Sequence, residues 1–402
     1  MAARLGAFAL LAIGMVMSSA AAQQTIVRPG IEVLLADQQQ LLHGKRAGIL
    51  TNQSGVDRTG ASDVDLLRAA GVRLTAIFSP EHGFRGKLDR EGIGNSVDAA
   101  TGLPIFSLYG ATRAPTGEML QTLDVLLIDL QDIGARPYTY ISTTLLALRA
   151  AAAANKPVIV LDRPNPIGGE LIQGPVLDMA FSSFVGMLPI PLRHGLTLGE
   201  MARLGNDKLA IHADLKVIAA RGWRRSMWFD ATALPWVAPS PNMPNLESAT
   251  HYPGLVLFEG TNVSVARGTP IAFAAVGAPW LKPAPLIARL GAVPGAALSA
   301  ATMTPKAPGD GKYDGQEIPA VRLRVTDRAV YDPVRLAVVL LCAMRSAYGD
   351  ELKFDATAFD ERAGSDRLRH AIESGEHPER IWQGWAAGLG RFEKERRGYL
   401  LY

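Results

Sequence analysis

Four short, uniformly apolar runs constrain this chain more than any other feature. They are Arg46 to Leu50, Leu74 to Phe78, Val125 to Leu130 and Val158 to Leu161. Between them lie stretches with helical character: Asp63 to Ala70, stopped by Gly71, and the Ala/Leu-rich Ile141 to Lys156. Short apolar strands alternating with helices predict a parallel sheet whose two faces are both covered, an α/β arrangement. Each run ends in a polar cluster: Asn52 and Gln53; Glu81 and His82; Gln131 and Asp132; Asp162, Arg163 and Asn165. Ligands of open parallel sheets sit outside the carboxyl ends of the strands, so the four clusters are expected to converge on one crevice.

The second half is less regular. It has Pro/Gly-rich loops over 235–253, 279–285 and 305–315, and strand-like pieces at Leu255 to Phe258 and Ala320 to Val325. Helical stretches follow at Pro333 to Tyr348, Asp366 to Ser374 and Pro378 to Ala387. This predicts a smaller α+β domain over 206–402 packed on a first domain over 23–205, with a ligand cleft between them.

The N-terminus reads as a secretory signal over 1–22. Arg4 is the charged region, Leu5 to Met17 the apolar one, and Ser18 to Ala22 the small residues before cleavage. A periplasmic or extracellular protein is expected, without stable membrane insertion. No later segment reaches the ~18 apolar residues a span needs. The formal charge of +3 over 402 residues gives no electrostatic case for nucleic acid. One cysteine, Cys342 in an apolar run, excludes a disulfide framework and reads as core.

Motifs for common hydrolases are missing: no G-x-S-x-G, no Ser-x-x-Lys, no H-E-x-x-H and no P-loop. The spacing of the seven histidines supports no metal site, and no cofactor is expected. Paired carboxylates remain. Glu81 is hemmed in by Pro80, His82 and Gly83, Glu91 follows in a loop that can fold back, and Asp132 and Glu259 are further candidates. Two carboxylates flanking a bond are the minimal apparatus of glycoside hydrolysis. Tyr138 and Tyr140 suit sugar stacking, and Arg136, Arg163, Arg193 and Arg267 suit an anionic substituent.

These residues sit in stretches that resemble a known family. They are residues 48–55 (GILTNQSG), 79–86 (SPEHGFRG), 101–110 (TGLPIFSLYG), 129–140 (DLQDIGARPYTY) and 162–169 (DRPNPIGG), then 193–200 (RHGLTLGE), 240–244 (SPNMP), 258–264 (FEGTNVS), 267–269 (RGT), 277–280 (GAPW) and 399–402 (YLLY). The chain resembles the exo-β-N-acetylmuramidases, formerly a domain of unknown function (DUF1343), from about Gly44 to Tyr402. The resemblance implies a Rossmann-like N-terminal domain and a smaller α+β domain with a cleft between them. It also implies release of N-acetylmuramic acid from the non-reducing ends of peptidoglycan-derived disaccharides and muropeptides. Glu81 is then the leading catalytic carboxylate, with Glu91 or Asp132 acting on the other side. The family's Gly-Glu reads Arg90-Glu91 here. Arg136 or Arg267 would hold the lactyl carboxylate. His82, Tyr138, Tyr140, Asn165, His194, Asn242, Glu259 and Asn262 would contact substrate. A sugar-binding protein without chemistry and a metal-dependent amidase are the competing readings.

Overall fold

The computed structural model describes residues 26–90 and 92–402. The expected signal segment and Glu91 lie outside the described residues. Twelve strands are described: β1 (Arg46–Thr51), β2 (Arg73–Ser79), β3 (Ser96–Val97), β4 (Pro104–Ser107), β5 (Val125–Asp129), β6 (Val158–Leu161), β7 (Gln173–Val176), β8 (Pro191–Arg193), β9 (Leu215–Ile218), β10 (Ala275–Gly277), β11 (Ala296–Met303) and β12 (Ile318–Val325).

The first sheet runs β3-β4-β2-β1-β5-β6-β9 and is parallel apart from β3. Its strands are apolar on both faces because both faces are roofed. Ile49, Ile77 and Leu127 pack with the helices Gly30–Asp37 and Asp63–Ala69. Their neighbours Leu50, Phe78 and Leu126 pack on the other side with helices Tyr140–Ala153 and Leu198–Lys208. Period-two alternation therefore sorts side chains between two apolar layers instead of between core and water. The sheet extends past residue 205, since β6 pairs along its length with β9. Register brings Thr51 opposite Asp129 and Ser79 opposite Ser107, so the carboxyl ends lie side by side.

The later part holds an antiparallel sheet, β10-β12-β11, and a cluster of helices. The strand expected at Leu255 to Phe258 is instead the end of helix Leu246–Leu255 and a 3₁₀ turn, Val256–Gly260. The run is fully buried, and a short buried apolar run has no periodicity to separate strand from helix. Asn245 starts this helix by accepting from the Ser248 N–H. The expected helix over 378–387 is two, Pro378–Gln383 and Ala386–Arg396, divided at Gly384 and Trp385. Helix Pro333–Tyr348 lies where the sequence places it and carries Cys342 half-buried against the core. One apolar cluster runs from Leu126 and Leu145 through Tyr252 and Phe258 to Val334 and Phe359, so both halves share a core.

Candidate active site

Past Ser79 the chain turns sharply. His82 adopts a left-handed backbone (φ 70°), and its Nδ1 lies 2.7 Å from the Leu88 carbonyl oxygen. This turn projects Glu81 beside the start of helix Tyr140–Ala153. Thr139 occupies the cap position there, but its hydroxyl does not cap the helix. It donates to Glu81 Oε2 at 2.5 Å. The positive end of the helix also favours a carboxylate at that place. Glu81 is only partly buried and lines a cavity of about 280 Å³.

Tyr109 and Arg113, from the chain beyond β4, stand on the same side. The Arg113 guanidinium lies against the rings of both Tyr109 (4.0 Å) and Phe184 (4.5 Å), which also contact each other. Burial, then the charge and hydrogen bond of Glu81, push the Tyr109 phenol up to about 12. Tyr138, Tyr252 and Phe273 form an aromatic wall, with ring centroids 5.8 and 4.7 Å apart along the series.

The C-terminal half supplies a charged wall. Glu259 accepts from Arg267 Nε at 2.8 Å and from Arg362 Nε at 3.1 Å, one guanidinium per oxygen. Burial pushes the Glu259 carboxyl up, but the two arginines outweigh it and bring it down to about 2. Glu259 is therefore a fixed anion, not a proton donor, and it aims two guanidiniums along the cavity. Asp89 joins the halves. It accepts from Asn242 Nδ2 (2.7 Å), Arg267 Nη1 (3.3 Å) and the Gly309 N–H (3.1 Å).

Of the residues singled out in the sequence, Glu81, His82, Tyr138, Asn242, Glu259 and Arg267 line this cavity. The others lie elsewhere. Asp132 is buried, accepts from the Gly134 N–H at 2.6 Å and sits 3.6 Å from His194 Nε2. His194 Nδ1 accepts from the Leu196 N–H, and Asn165 bridges the Leu196 carbonyl and the Ile167 N–H. Tyr140 is spent between Asn52 and the Pro239 carbonyl. Asn262 ties a loop to Glu351 and Lys353. Arg136 is fully enclosed and donates to the carbonyls of Pro175, Ile190 and Arg362, while burial pulls its guanidinium down to about 9. Arg163 pairs with Asp129, and Arg193 donates to Gln173 and Ile167.

The four polar clusters do meet at the sheet's carboxyl edge, but most are consumed there as scaffolding. Ser54 Oγ accepts from the Gln131 N–H, and Gln131 Nε2 donates to the Asp132 and Pro164 carbonyls. Only the cluster after β2 reaches the cavity. Tyr109, Thr139 and Ser240 went unnoticed although they lie inside the motif stretches. Tyr252, Phe273 and Arg362 lie in none and gave no signal. Among the described residues no group of three His, Cys, Asp or Glu side chains could hold a metal ion.

Residues 47–247 match the family described as exo-beta-N-acetylmuramidase NamZ, N-terminal, and residues 250–402 match its C-terminal counterpart. The chain belongs to the exo-β-N-acetylmuramidase family. Peptidoglycan beta-N-acetylmuramidase NamZ of Bacillus subtilis (strain 168), a curated relative, is 43% identical over 386 residues, covering 95% of this chain and 92% of the relative. Two crystal structures of DUF1343 family proteins from Bacteroides fragilis NCTC 9343 share the fold. One superposes with TM-score 0.87 at 34% identity, the other with 0.75 at 32%. Each comparison covers 94% of this chain and 99% of the other. The exo-β-N-acetylmuramidase assignment thus spans both halves that build the cavity.

Proposed function

We propose that this cavity receives the terminal N-acetylmuramic acid of peptidoglycan fragments and that Glu81 protonates the leaving oxygen. The protein is an exo-acting glycoside hydrolase of cell-wall turnover. The observation that carries the catalytic assignment is the placement of Glu81. It is the carboxyl of the sheet edge that lines the cavity, it is oriented by Thr139, and it shares the cavity with the Arg267–Glu259–Arg362 clamp. That clamp suits the lactyl carboxylate, which distinguishes muramic acid from glucosamine, because guanidinium forks match carboxylate geometry. The aromatic wall of Tyr138, Tyr252 and Phe273 suits the apolar face of a sugar ring. We assign the role of second catalytic group to Glu91, with the substrate's own acetamido group as the alternative nucleophile.

The decisive assay is incubation with a MurNAc-GlcNAc disaccharide, followed by mass analysis for free N-acetylmuramic acid. Glu81→Gln is expected to lower kcat by about 10²–10⁴, the usual contribution of general acid catalysis. A Glu81→Gln enzyme with most of its turnover overturns the assignment, and tight binding without release of sugar would make the protein a receptor. We propose further that the chain is exported and cleaved after Ala22, which its N-terminal composition supports. Sequencing the mature protein from the cell envelope should find a start near residue 23. An intact N-terminus in the cytosol sinks that part.

A further inference from the structure

A second cavity, of about 390 Å³, lies among the C-terminal helices and is larger than the catalytic one. Arg367, Arg380, Trp385 and Arg391 line it, together with Val176, Asp178 and Glu376. No residue lines both cavities, but two segments run from one to the other. The segment 361–367 gives Glu361 and Arg362 to the first and Arg367 to the second. The segment 178–185 gives Phe184 and Val185 to the first and Asp178 to the second. Between them stands the buried Arg136, which bonds the Arg362 carbonyl on one side and the Pro175 carbonyl on the other. Arg136 thus ties together two of the segments that contribute to the cavities.

The second cavity has cations with little else to do. Arg367 reaches Asp178 only at 4.0 Å and Arg380 reaches Glu376 only at 3.7 Å, with the arginine side chains 84% and 78% exposed. Such loose, solvated pairs hold their members weakly. Arg391 has no carboxylate partner among the described residues. Beside them Trp385 is anchored by packing on the core, with part of its indole left open to the cavity. An indole platform ringed by guanidinium forks has the chemistry for a sugar that bears a carboxylate.

We propose that this cavity is a distal glycan subsite. It holds a later, carboxylate-bearing unit of the glycan whose terminal residue occupies the catalytic cavity. The inference rests on the muramidase reading above. It follows from charge complementarity, since lactyl carboxylates recur along a peptide-free glycan of alternating N-acetylglucosamine and N-acetylmuramic acid, and from the two chain segments that contribute to both cavities.

The test compares kcat/KM on a peptide-free disaccharide and hexasaccharide, each with N-acetylmuramic acid at its non-reducing end. The wild-type enzyme should favour the hexasaccharide about tenfold, the factor that about 1.4 kcal/mol of added binding gives, and through KM. The exposed double variant Arg380→Glu/Arg391→Glu should lose that preference and keep the disaccharide rate. Trp385→Ala should do the same without a change of charge. Raising the salt to about 0.5 M should shrink the wild-type preference, because exposed charges are screened. Equal wild-type rates on the two substrates, or a preference that survives in the double variant, overturn the proposal. If the wild-type enzyme releases nothing even from the disaccharide, it is the muramidase reading that fails.

Discussion

Glu259 offers the sharpest test of how the charged wall works. Its carboxyl lies at about 2 against an ordinary value of 4.5, and its side chain is 9% exposed. Because the folded value is the lower one, the ionised clamp stabilises the protein fully above the unfolded value. That stabilisation is lost as the pH falls through the window from 4.5 towards 2. The gap corresponds to about 3 kcal/mol at neutral pH, and only about 1 kcal/mol of it remains at pH 3. Glu259→Gln removes the charge at nearly constant volume. It should lower Tm at pH 7 by roughly 3–5 °C, at about 1–1.5 °C per kcal/mol for an unfolding unit the size of this chain, and should cost about a third as much stability at pH 3. The same variant releases Arg267 and Arg362 from their shared anchor. KM for the disaccharide should rise about tenfold or more, with a smaller change in kcat. Urea unfolding at the two pH values, together with steady-state kinetics, reads both effects. A penalty equal at pH 7 and pH 3, or an unchanged KM, refutes the clamp as described.

Arg136→Lys should cost about 2–4 kcal/mol, since an ammonium cannot reach three carbonyls on three segments, and should leave KM unchanged; a raised KM at unchanged Tm would make Arg136 a substrate ligand. Gly254→Ala places a methyl group 1.9 Å from the Pro333 carbonyl oxygen and should destabilise by about 1–3 kcal/mol in thermal melts. If it melts like the wild type, the close approach of helix Leu246–Leu255 to helix Pro333–Tyr348 is misdescribed. Thr139→Val removes the donor to Glu81 and should lower kcat about tenfold, the effect of one hydrogen bond worth about 1.4 kcal/mol, with the fold intact by circular dichroism. Undiminished turnover would show that this contact does not orient the acid.

The sheet was legible because its strands are apolar on both parities, and only a doubly covered parallel sheet buries such strands. Glu81 was legible because Pro80 and Gly83 flank it in a turn. The expected convergence of polar strand ends came out differently at β1, β5 and β6. These are central strands, and the chain over 235–240 closes over their ends. Gln53 donates to the Ala238 carbonyl there, and Tyr140 to the Pro239 carbonyl. Strand order and that covering segment are tertiary facts, and local patterning contains neither. Asp132, Asn165 and His194 have the residue types of a site and the partners of a scaffold for this reason. Arg362 and Tyr252 were invisible for the opposite reason. Tyr252 sits on a helix buried on every side and Arg362 on a short one, and neither sequence says which neighbours the helix meets.

The shared core has a consequence for how the molecule can be divided. The family boundary between 247 and 250 separates two stretches of sequence, but no physical seam follows it. Leu145, Tyr252, Phe258 and Val334 belong to one apolar cluster, and Arg136 reaches across to the Arg362 carbonyl. Expressed alone, either half would present to water the surface that its partner now covers. A cut at the boundary should therefore yield two insoluble fragments in place of two domains, and the intact chain should melt in a single calorimetric transition.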